Sequence, residues 1–399
     1  MTEPAIYDAV IVGGGPAGAT AACDLARRGR KVLLLDRAGR IKPCGGAIPP
    51  RLIRDFAIPD ELLVARVTSA RMVSPSDKRV DIPIEGGFVG MVDREAFDEW
   101  LRQRAAREGA ERRTGTFERI SRSGDGAAIV EYASCGPDGS KPTNRVRAKV
   151  VIGADGANSA VARQALPNVR GAKFVFAYHE IIRSPNDAQA DFDPKRCDVI
   201  YRGAISPDFY SWVFPHGETA SVGAGSAHKG FSLKGAVSRL REESGLAGAE
   251  TIRREGAPIP LRPLRKWDNG RDVVLAGDAA GVVAPASGEG IYYAMIGGRF
   301  AADAVEMLLQ TGDARALASA RKRFMKAHGR VFWILGILQH FWYRNDKRRE
   351  SFVKICADRD VQRLTFDAYM NKELVRARPM AHVRIFFKDL GHLFGFVRA

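Results

Sequence analysis

Apolar runs alternate with amphipathic stretches at the start of the chain. Residues 7–12 (YDAVIV) and 31–35 (KVLLL) are nearly continuous apolar runs, which is typical of buried strands. Between them, residues 17–28 place apolar side chains at helical spacing, and Gly29 follows as a helix-ending residue. Strand, helix and strand in this order predict a βαβ unit whose first turn is the glycine-rich segment 13–18.

The alternation of strands and helices continues after this unit. Four further segments have the apolar spacing of buried elements: strands at 146–152 and 272–275, and helices at 93–108 and 290–309. The middle of the chain differs, because residues 171–262 alternate polar and apolar positions and contain many turn residues, a pattern that predicts a mostly antiparallel sheet. From residue 314 onward the pattern is helical.

The composition is that of a soluble globular protein. Of the 399 residues, 45% are apolar and 27% are charged, which excludes a disordered chain, a collagen-like fibre and a coiled coil. The five cysteines are irregularly spaced, so they predict neither a disulfide framework nor a zinc site. The chain does not begin with a basic segment followed by an apolar one, so no secretory signal is expected and we predict a cytoplasmic protein.

Positive charge is concentrated at the end of the chain. The net charge is +16, and residues 321–399 alone contain 18 basic and 7 acidic side chains together with 13 of the 34 aromatic residues. This combination is typical of a membrane surface or a nucleic-acid contact, but no nucleic-acid motif accompanies it. The apolar segment 331–343 is too short to span a bilayer. We expect it to lie peripherally on a membrane beside the basic residues Arg344, Lys347, Arg348 and Arg349. The alternative is a solvated helical cap.

The glycine-rich turn has the pattern of a dinucleotide-binding fingerprint. Gly13, Gly15 and Gly18 follow a predicted strand and open a predicted helix, which is the context that the fingerprint requires. Glycine at these positions permits the tight turn and lets backbone N–H groups approach a pyrophosphate. Asp36 ends the second strand, where a carboxylate can accept hydrogen bonds from ribose hydroxyls. A glycine-rich turn without a ligand is the alternative.

Three later motifs resemble those of FAD-binding proteins. Arg94 in VDREAFDEWL, GADG at 153–156 and GDAAG at 277–281 occur in the order seen in the para-hydroxybenzoate hydroxylase and glutathione reductase superfamily. The resemblance implies that Arg94 lies near the FAD pyrophosphate and that Asp278 binds the ribityl chain; by itself, Asp278 would be interpreted as a helix cap. The positions that match FAD contacts are Gly13, Gly15, Ala17, Gly18, Asp36, Arg37, Cys44, Gly45, Gly46, Arg94, Asp278, Gly288, Gly290 and Ile291.

An aromatic motif in the middle region resembles that of the geranylgeranyl reductase family. The pattern, YxWxFP followed by seven residues and GxG, is formed by Tyr210, Trp212, Phe214, Pro215, Gly223 and Gly225, which are the expected substrate-binding residues. Alternate residues of a strand point to one face, so the three aromatic side chains form a wall. An isoprenoid chain offers no charge, and burial against aromatic rings is the available means of binding it. The alternative is that these rings fill a core.

A Cys-Gly-Gly segment follows the second predicted strand. The family places such a loop beside the flavin ring, where Gly45 and Gly46 let the backbone approach closely. The resemblance of CGGAIPP, and of APASGEGI at 284–291, narrows to the (bacterio)chlorophyll branch of the family. Cys44 is a candidate proton donor or modulator of the flavin, and a small buried thiol is the alternative.

The histidines of the middle region suggest no further chemistry. His179, His216 and His228 have neither triad nor metal spacing, so we interpret them as ordinary polar residues and expect no metal site. His216 directly follows the aromatic motif, which makes it the first of the three to test by substitution.

The resemblance covers nearly the whole chain and implies an α/β (α+β) fold in three parts. These are a Rossmann-like FAD-binding domain of the para-hydroxybenzoate hydroxylase type, a substrate-binding domain built on an antiparallel sheet and a C-terminal helical region. The expected boundaries are 1–68, 90–170 and 266–320 for the FAD-binding domain, 69–89 and 171–265 for the substrate-binding domain, and 321–399 for the helical region.

The resemblance also implies a flavin-dependent ene-reductase in which NADPH reduces FAD and the flavin passes a hydride to an isolated alkene. The expected catalytic residues are Cys44, Tyr210 and Trp212, with Cys44, Tyr210 or water as the proton donor. The expected substrate is geranylgeranyl, esterified to bacteriochlorophyll or as the diphosphate, with three of its four double bonds reduced to give phytyl. No second GxGxxG follows a strand, so NADPH would dock transiently, and a ferredoxin-like protein donor stays open.

Three other functions are compatible with these motifs. A flavin aromatic monooxygenase shares the fold, although the YxWxFP pattern argues against it. A prenyl-lipid reductase of the archaeal type shares the mechanism, although CGGAIPP and the long tail argue against it. A non-catalytic FAD-containing binder of pigments or prenyl groups is the alternative from another class.

Overall fold

The computed structural model describes residues 6–37, 39, 41–136, 138–169, 173–185 and 191–363. In these ranges the strands are β1 (Ile6–Val12), β2 (Val32–Asp36), β3 (Ala47–Ile48), β4 (Leu63–Val67), β5 (Ser69–Val73), β6 (Arg79–Pro83), β7 (Val89–Val92), β8 (Glu111–Thr114), β9 (Thr116–Arg122), β10 (Ala128–Ala133), β11 (Thr143–Gly153), β12 (Phe174–Arg183), β13 (Arg196–Ile200), β14 (Ser211–His216), β15 (Thr219–Ser226), β16 (Thr251–Pro260) and β17 (Val273–Leu275). The helices are α1 (Pro16–Arg27), α2 (Pro50–Asp55), α3 (Arg94–Arg107), α4 (Ala160–Ala165), α5 (Leu233–Glu243), α6 (Ile291–Thr311), α7 (Ser319–Trp342) and α8 (Asp346–Ile355). Short 3₁₀ turns lie at Asp60–Leu62, Gly277–Ala280 and Ala314–Ala318.

The first of two compact units comprises Met1–Lys42, Arg94–Phe174 and Pro258–Gly336. As far as the chain is described, its sheet has seven strands in the order β8-β2-β1-β11-β10-β9, with β17 paired to β11. β8, β2, β1, β11 and β17 run parallel, and β10 and β9 continue the sheet antiparallel. The apolar residues of β2 are all buried, as expected for a parallel strand covered on both faces.

Small residues let α1 and α6 pack closely in this unit. A β-carbon at Gly298 of α6 would lie 3.0 Å from the carbonyl carbon of Ala17 in α1. A β-carbon at Gly277 would lie 2.7 Å from the β-carbon of the same alanine. The start of α1 is therefore held against both α6 and the turn that follows β17.

The second unit comprises Pro43–Asp93, Val175–Ala257 and Ile337–Ala399. Its larger sheet, within the described residues, has seven strands in the order β16-β12-β15-β14-β13-β5-β6. The pairs that β15 forms with β12 and β14 are antiparallel, whereas β13 and β5 are parallel. One face packs on α5 in a core that includes Ile182, Val213, Val222, Val237 and Leu240. The predicted α/β fold class, with one mainly parallel and one mainly antiparallel sheet, is confirmed.

The boundary of the second unit differs from the expected one at residues 43–68. We expected these residues in the FAD-binding domain, but they cluster with the second unit because β3 and β4 pair with β7 in a small three-stranded sheet of the described chain. Such short strands have too few residues to show in the sequence which strand they will pair with.

The C-terminal region is helical, as predicted, through α7 and α8. The part of α7 up to Gly336 clusters with the first unit, and the chain from Ile337 clusters with the second. Residues 364–399, the last part of the predicted helical region, lie outside the described residues. Among the helices of the described chain, none combines the length and the apolar character needed to cross a membrane.

One residue of the predicted basic flank has a structural role instead. Arg349 is only 2% exposed, and its guanidinium donates to the carbonyl oxygen of Tyr343 and to Asp346 Oδ1, each at 2.6 Å. The prediction that Arg349 lies on the membrane-facing flank is wrong, because its guanidinium is buried and donates hydrogen bonds to oxygen atoms at the start of α8. Arg344 and Lys347 are exposed.

Candidate functional site

The turn between β1 and α1 uses glycine in three different ways. Gly13 has φ +106°, and a β-carbon there would lie 2.6 Å from the carbonyl carbon of Ala154. A β-carbon at Gly18 would overlap the carbonyl oxygen of Gly13, so this glycine lets the helix pack against the turn. At Gly15, the N-cap of α1, a β-carbon would meet no described atom within 4 Å. The open space at Gly15 is where a dinucleotide-binding turn receives the pyrophosphate.

Asp36 lies beside this turn. Its Oδ2 accepts a hydrogen bond from Arg102 Nη1 at 3.2 Å, and a β-carbon at Gly14 would lie 2.8 Å from the same oxygen. Burial raises the pKa of the Asp36 carboxyl, while hydrogen bonding from the Gly14 backbone and the charge of Arg102 oppose this rise. The carboxylate is thus partly shielded from solvent and well oriented, which suits it to accept hydrogen bonds from ribose hydroxyls. Arg37, the next predicted contact, is exposed.

Helix α3 brings Arg94, Asp98 and Arg102 to one face through four-residue spacing. Arg94 and Asp98 form a bidentate ion pair, with Nε–Oδ1 at 3.0 Å and Nη2–Oδ2 at 2.7 Å, and both side chains are buried. This geometry fixes the Arg94 guanidinium in place. Arg102 was not predicted as a site residue, although its helical spacing from Arg94 is a signal that would have identified it.

The turn after β17 brings Asp278 to Lys42. Asp278 lies in the turn Gly277–Ala280, its side chain is 8% exposed, and Oδ2 accepts a hydrogen bond from Lys42 Nζ. A β-carbon at Gly290 would lie 3.9 Å from the other carboxylate oxygen, Oδ1. Two predicted contacts, Asp278 and Gly290, therefore lie together at the start of α6.

The loop before α6 contains the remaining predicted contacts. Gly288 has φ +66°, and Ala286 has φ +63°, an uncommon conformation for a residue with a side chain. Gly290 is the N-cap of α6 and provides no side-chain cap, and Ile291 is buried. The first N–H groups of α6 thus carry the partial positive charge of a helix N-terminus toward this loop.

The first unit therefore fits a flavin adenine dinucleotide. The fit rests on the unfilled space at Gly15, on the oriented carboxylates of Asp36 and Asp278, and on the packing that holds the start of α1 against α6 and the turn after β17. Of the predicted cofactor contacts, Cys44, Gly45 and Gly46 do not belong to this group, because they cluster with the second unit.

The predicted aromatic wall is a row of rings that starts just before β14 and continues along it. The ring centroids of Tyr210 and Trp212 are 6.0 Å apart, and those of Trp212 and Phe214 are 6.1 Å apart. Phe209 stacks on Tyr210 with a centroid distance of 4.3 Å. Since Val213 belongs to the core around α5, the row occupies the opposite face of the sheet. Ring pairs at these distances stabilise one another.

The two glycines of the motif make room for these rings. Trp212 pairs with Gly223 in the register of β14 and β15, and a β-carbon at Gly223 would lie 2.5 Å from Trp212 Cε2. A β-carbon at Gly225 would lie 2.6 Å from Phe209 Cδ1. The two glycines thus leave bare backbone next to the rings of Trp212 and Phe209. Pro215 follows the row, opposite Ala220.

The Cys-Gly-Gly loop lies at the end of this row. A β-carbon at Gly45 would lie 3.1 Å from Phe214 Cδ2, and one at Gly46 would lie 2.5 Å from His216 Nε2. Gly46 has φ +69°, and its N–H donates to Cys44 Sγ at 3.4 Å. Cys44 is partly exposed. The second unit therefore brings the loop that contains Cys44, one of the candidate proton donors, to the end of the aromatic row.

His216 has a more specific environment than its sequence position suggests. Its Nδ1 donates to the carbonyl oxygen of Phe214 at 3.1 Å. Burial lowers the pKa of His216 to about 4, and the hydrogen bond to Phe214 opposes this change. The imidazole is neutral at pH 7, so it does not serve as a cationic proton donor there.

A buried hydrogen-bonded chain starts at Trp212, and no sequence motif predicted it. Trp212 Nε1 donates to Ser221 Oγ at 3.0 Å, and the same oxygen lies 2.9 Å from His179 Nδ1. His179 Nε2 lies 3.0 Å from Glu255 Oε2. His179, interpreted from the sequence as an ordinary polar residue, thus has a defined position behind the aromatic row. In the described ranges, no cluster of three or more His, Cys, Asp or Glu side chains is arranged to hold a metal ion.

Comparison with known proteins places these two groups of residues in context. A family model described as an FAD binding domain matches residues 6–327. The chain is 60% identical over 391 residues to a geranylgeranyl diphosphate reductase from Rhodobacter capsulatus, a match that covers 98% of each chain. It is 31% identical over 360 residues to a digeranylgeranylglycerophospholipid reductase from Methanocaldococcus jannaschii, which covers 85% of this chain and 86% of that protein.

A solved structure supports the fold. The geranylgeranyl bacteriochlorophyll reductase-like protein from Thermoplasma acidophilum superposes with a TM-score of 0.79 at 24% sequence identity. The match covers 94% of this chain and 99% of that chain. The similarity in fold therefore covers residues of both units.

Proposed function

The chain belongs to the geranylgeranyl reductase family of FAD-binding proteins, and from this premise we propose that it reduces the geranylgeranyl chain to phytyl in (bacterio)chlorophyll biosynthesis. It is a flavin-dependent oxidoreductase that acts on carbon–carbon double bonds. The observation that carries the substrate assignment is the 60% identity over 98% of the chain to a geranylgeranyl diphosphate reductase, against 31% to the archaeal lipid reductase.

Residues of the first unit would hold FAD. The open backbone at Gly15 offers N–H groups to the pyrophosphate, Asp36 accepts hydrogen bonds from the ribose, and Asp278 accepts them from the ribityl chain. Lys42 orients the Asp278 carboxylate by donating to Oδ2. Bound FAD supplies, in its reduced form, the hydride that an alkene requires.

The aromatic row of the second unit would bind the isoprenoid chain. Tyr210, which directly precedes β14, and Trp212 and Phe214 on one face of β14 follow one another at regular ring spacing, and they expose no charge to an apolar ligand. Each methylene that leaves water for such a surface contributes roughly 0.8 kcal/mol. An isolated alkene is not polarised, so correct placement and exclusion of water supply much of the lowering of the barrier.

We assign the proton to Cys44. Saturation of an alkene adds a hydride to one carbon and a proton to the other. Cys44 is partly exposed and directly precedes Gly45, whose backbone lies next to Phe214 at the end of the aromatic row. After the thiol gives its proton, the thiolate regains one from solvent. His216 is neutral at pH 7, and its Nδ1–H is held by the Phe214 carbonyl, which favours Cys44 over this neighbour.

NADPH is the proposed source of electrons. A single GxGxxG follows a strand, and FAD would occupy it, so NADPH would bind only transiently. A ferredoxin-like protein is the alternative electron donor. The two donors are distinguished by supplying each in turn to the anaerobic enzyme and measuring which one reduces it.

A stripe on α7 supports docking on a membrane. Trp333 is 68% exposed and Ile337 is 47% exposed. Arg330 and Lys326, which lie about one and two helical turns before Trp333, are also exposed. Exposed tryptophan with basic neighbours is typical of a helix that lies in the interface of an anionic bilayer. Such docking would give the enzyme access to a substrate that partitions into the membrane.

Mass spectrometry of three candidate substrates tests this proposal. Purified enzyme with FAD and NADPH is incubated anaerobically with geranylgeranyl-bacteriochlorophyll, with geranylgeranyl diphosphate and with an unsaturated archaeal diether lipid, each in mild detergent. We expect the first two to gain hydrogen pairs stepwise, with the macrocycle of the pigment unchanged. Preference for the diether lipid would identify an archaeal-type reductase, and no reduction of any of the three would contradict the enzymatic function.

A further inference from the structure

The hydrogen-bonded chain that starts at Trp212 crosses four neighbouring strands. Its members are Trp212 on β14, Ser221 on β15, His179 on β12 and Glu255 on β16, and these strands are adjacent in the sheet order β16-β12-β15-β14. All three links are between 2.9 and 3.0 Å long. Ser221 and His179 are buried, so the links are shielded from competition with water.

The donors and acceptors of the chain define the direction of its first and last hydrogen bonds. The indole Nε1 can only donate, so Ser221 Oγ accepts from it. Ser221 Oγ is also hydrogen-bonded to His179 Nδ1, and the Nε2–H of His179 donates to the Glu255 carboxylate. Glu255 is in turn paired with Arg253. Each link has a donor and an acceptor, and a buried network satisfied in this way is rigid.

The order serine, histidine and glutamate is also that of a hydrolytic triad, but the arrangement excludes this role. The Ser221 side chain is fully buried, and its oxygen already accepts the indole N–H. A nucleophile must reach its substrate, which Ser221 does not. The hydrogen-bonded chain ends at the indole ring of Trp212, which belongs to the aromatic row.

We propose that Ser221, His179 and Glu255 are positioning residues that fix the indole ring of Trp212 for the isoprenoid chain. The proposal rests on the proposed function, in which the aromatic row binds that chain. Gly223 leaves space for one part of the ring, and Ser221 holds its Nε1. Without the hydrogen bond the ring has more than one orientation, and the substrate must order it on binding, which weakens the affinity.

A double-mutant cycle between Ser221→Ala and Trp212→Phe tests the proposal. Loss of one buried hydrogen bond should raise the KM for geranylgeranyl diphosphate by roughly three- to tenfold in the presence of Trp212. In the Trp212→Phe background, which has no indole N–H, the same substitution should leave KM unchanged. Ser211→Ala is the matched control, because Ser211 is equally buried on β14 but bonds to the Ile200 carbonyl at 3.2 Å and faces away from the row.

Tryptophan emission gives a readout that does not depend on turnover. Ser221→Ala should shift the emission of the protein, and the shift should be absent between Trp212→Phe and the double variant. If Ser221→Ala does not fold, His179→Asn is carried through the same cycle, since it breaks the link to Glu255 while keeping a polar group next to Ser221.

The outcomes separate this proposal from the proposed function. An equal rise of KM in both backgrounds, or no change of KM and emission in either, would overturn the positioning role. Should the wild-type enzyme reduce no prenyl substrate, the proposed function fails, and the emission cycle alone then decides whether Ser221 holds the Trp212 ring.

Discussion

The indole ring of Trp212 lies over the backbone of Gly223, its register partner on the neighbouring strand. A β-carbon at position 223 would lie 2.5 Å from Trp212 Cε2, so the ring keeps its place only while this position has no side chain. On the same face, Ser221 holds the indole Nε1. The geometry of the aromatic row therefore depends on β15 as much as on β14.

Substitution of Gly223 should damage substrate binding. In Gly223→Ala the new methyl group forces the Trp212 ring to move, and overpacking of this kind costs about 1–3 kcal/mol. We expect the KM for geranylgeranyl diphosphate to rise by roughly tenfold and the melting temperature to fall. Gly248→Ala is the control, because a β-carbon there meets no described atom within 4 Å. A Gly223→Ala enzyme with the KM of the control would contradict the role of the row.

Removal of the Cys44 thiol should slow the chemical step. Cys44→Ala loses the proposed proton donor, and such a loss typically lowers the rate by about 10²- to 10⁴-fold. We expect kcat to fall by this order while the FAD content stays at the wild-type level. Cys135→Ala, which removes an exposed cysteine, serves as the control and should behave as wild type. A Cys44→Ala enzyme with more than half of the wild-type kcat would assign the proton to water or Tyr210.

A methyl group at Gly15 should abolish cofactor binding without unfolding the protein. The structure has space for the β-carbon in Gly15→Ala, but the methyl group would take the place of the pyrophosphate. We expect a far-UV circular dichroism spectrum like that of wild-type apoprotein and FAD binding at least about tenfold weaker, which is roughly 1.4 kcal/mol. Gly124→Ala is the control, since its β-carbon also meets no described atom. Full FAD occupancy of Gly15→Ala would place the cofactor elsewhere.

His216 should make the protein less stable in acid. Burial lowers its pKa in the folded protein from 6.5 to about 4, so between these values the unfolded chain binds more protons than the folded one. The free energy of unfolding therefore falls as the pH falls through this window, by about 2–3 kcal/mol at pH 4.5. Denaturant titrations at pH 7 and pH 4.5 should show this loss for wild type and for His228→Asn, in which an exposed histidine is replaced. The loss of stability should be smaller in His216→Asn. Equal losses in wild type, His228→Asn and His216→Asn would show that His216 is not the cause.

Charge on the exposed stripe of α7 should release the protein from membranes. Flotation with anionic liposomes compares wild type with Trp333→Glu/Ile337→Glu. We expect wild type to float and the double variant to stay in solution, because glutamate is repelled by anionic lipid and does not enter the interface. Ile252→Glu replaces an isoleucine of the same 47% exposure on β16 and should float like wild type. Flotation of the double variant would show that α7 is not the docking segment.

Local sequence pattern was sufficient to predict the strand, turn and helix at the start of the chain. The strand, the glycine turn, the helix and Asp36 lie within a short stretch, and each has its own sequence signature. Asp278 and Lys42 are 236 residues apart, and their ion pair depends on how the turn after β17 packs on the start of the chain, which no local pattern shows. Arg102 could have been predicted from its spacing to Arg94, because both lie on one face of α3.

The residues of the aromatic motif were predictable from the sequence, but the way they pack was not. The motif gave Trp212 and Gly223, but only the register of β14 and β15 shows that one makes room for the other. The contact of His179 with Ser221 and Glu255 joins three separate strands, and the pairing of strands over such distances is set by tertiary packing. The same reason explains why residues 43–68 cluster with the second unit rather than with the expected domain.

Anaerobic single turnover tests the central claim, which is that this flavoprotein saturates isolated alkenes. The FAD-loaded enzyme is reduced chemically, freed of excess reductant and mixed without oxygen with geranylgeranyl diphosphate, and the absorbance of oxidised FAD and the mass of the prenyl product are followed together. We predict that oxidised FAD returns and that one double bond is saturated for each FAD reoxidised. If the flavin stays reduced with the alkene and is reoxidised only when oxygen is admitted, the protein is not an ene-reductase.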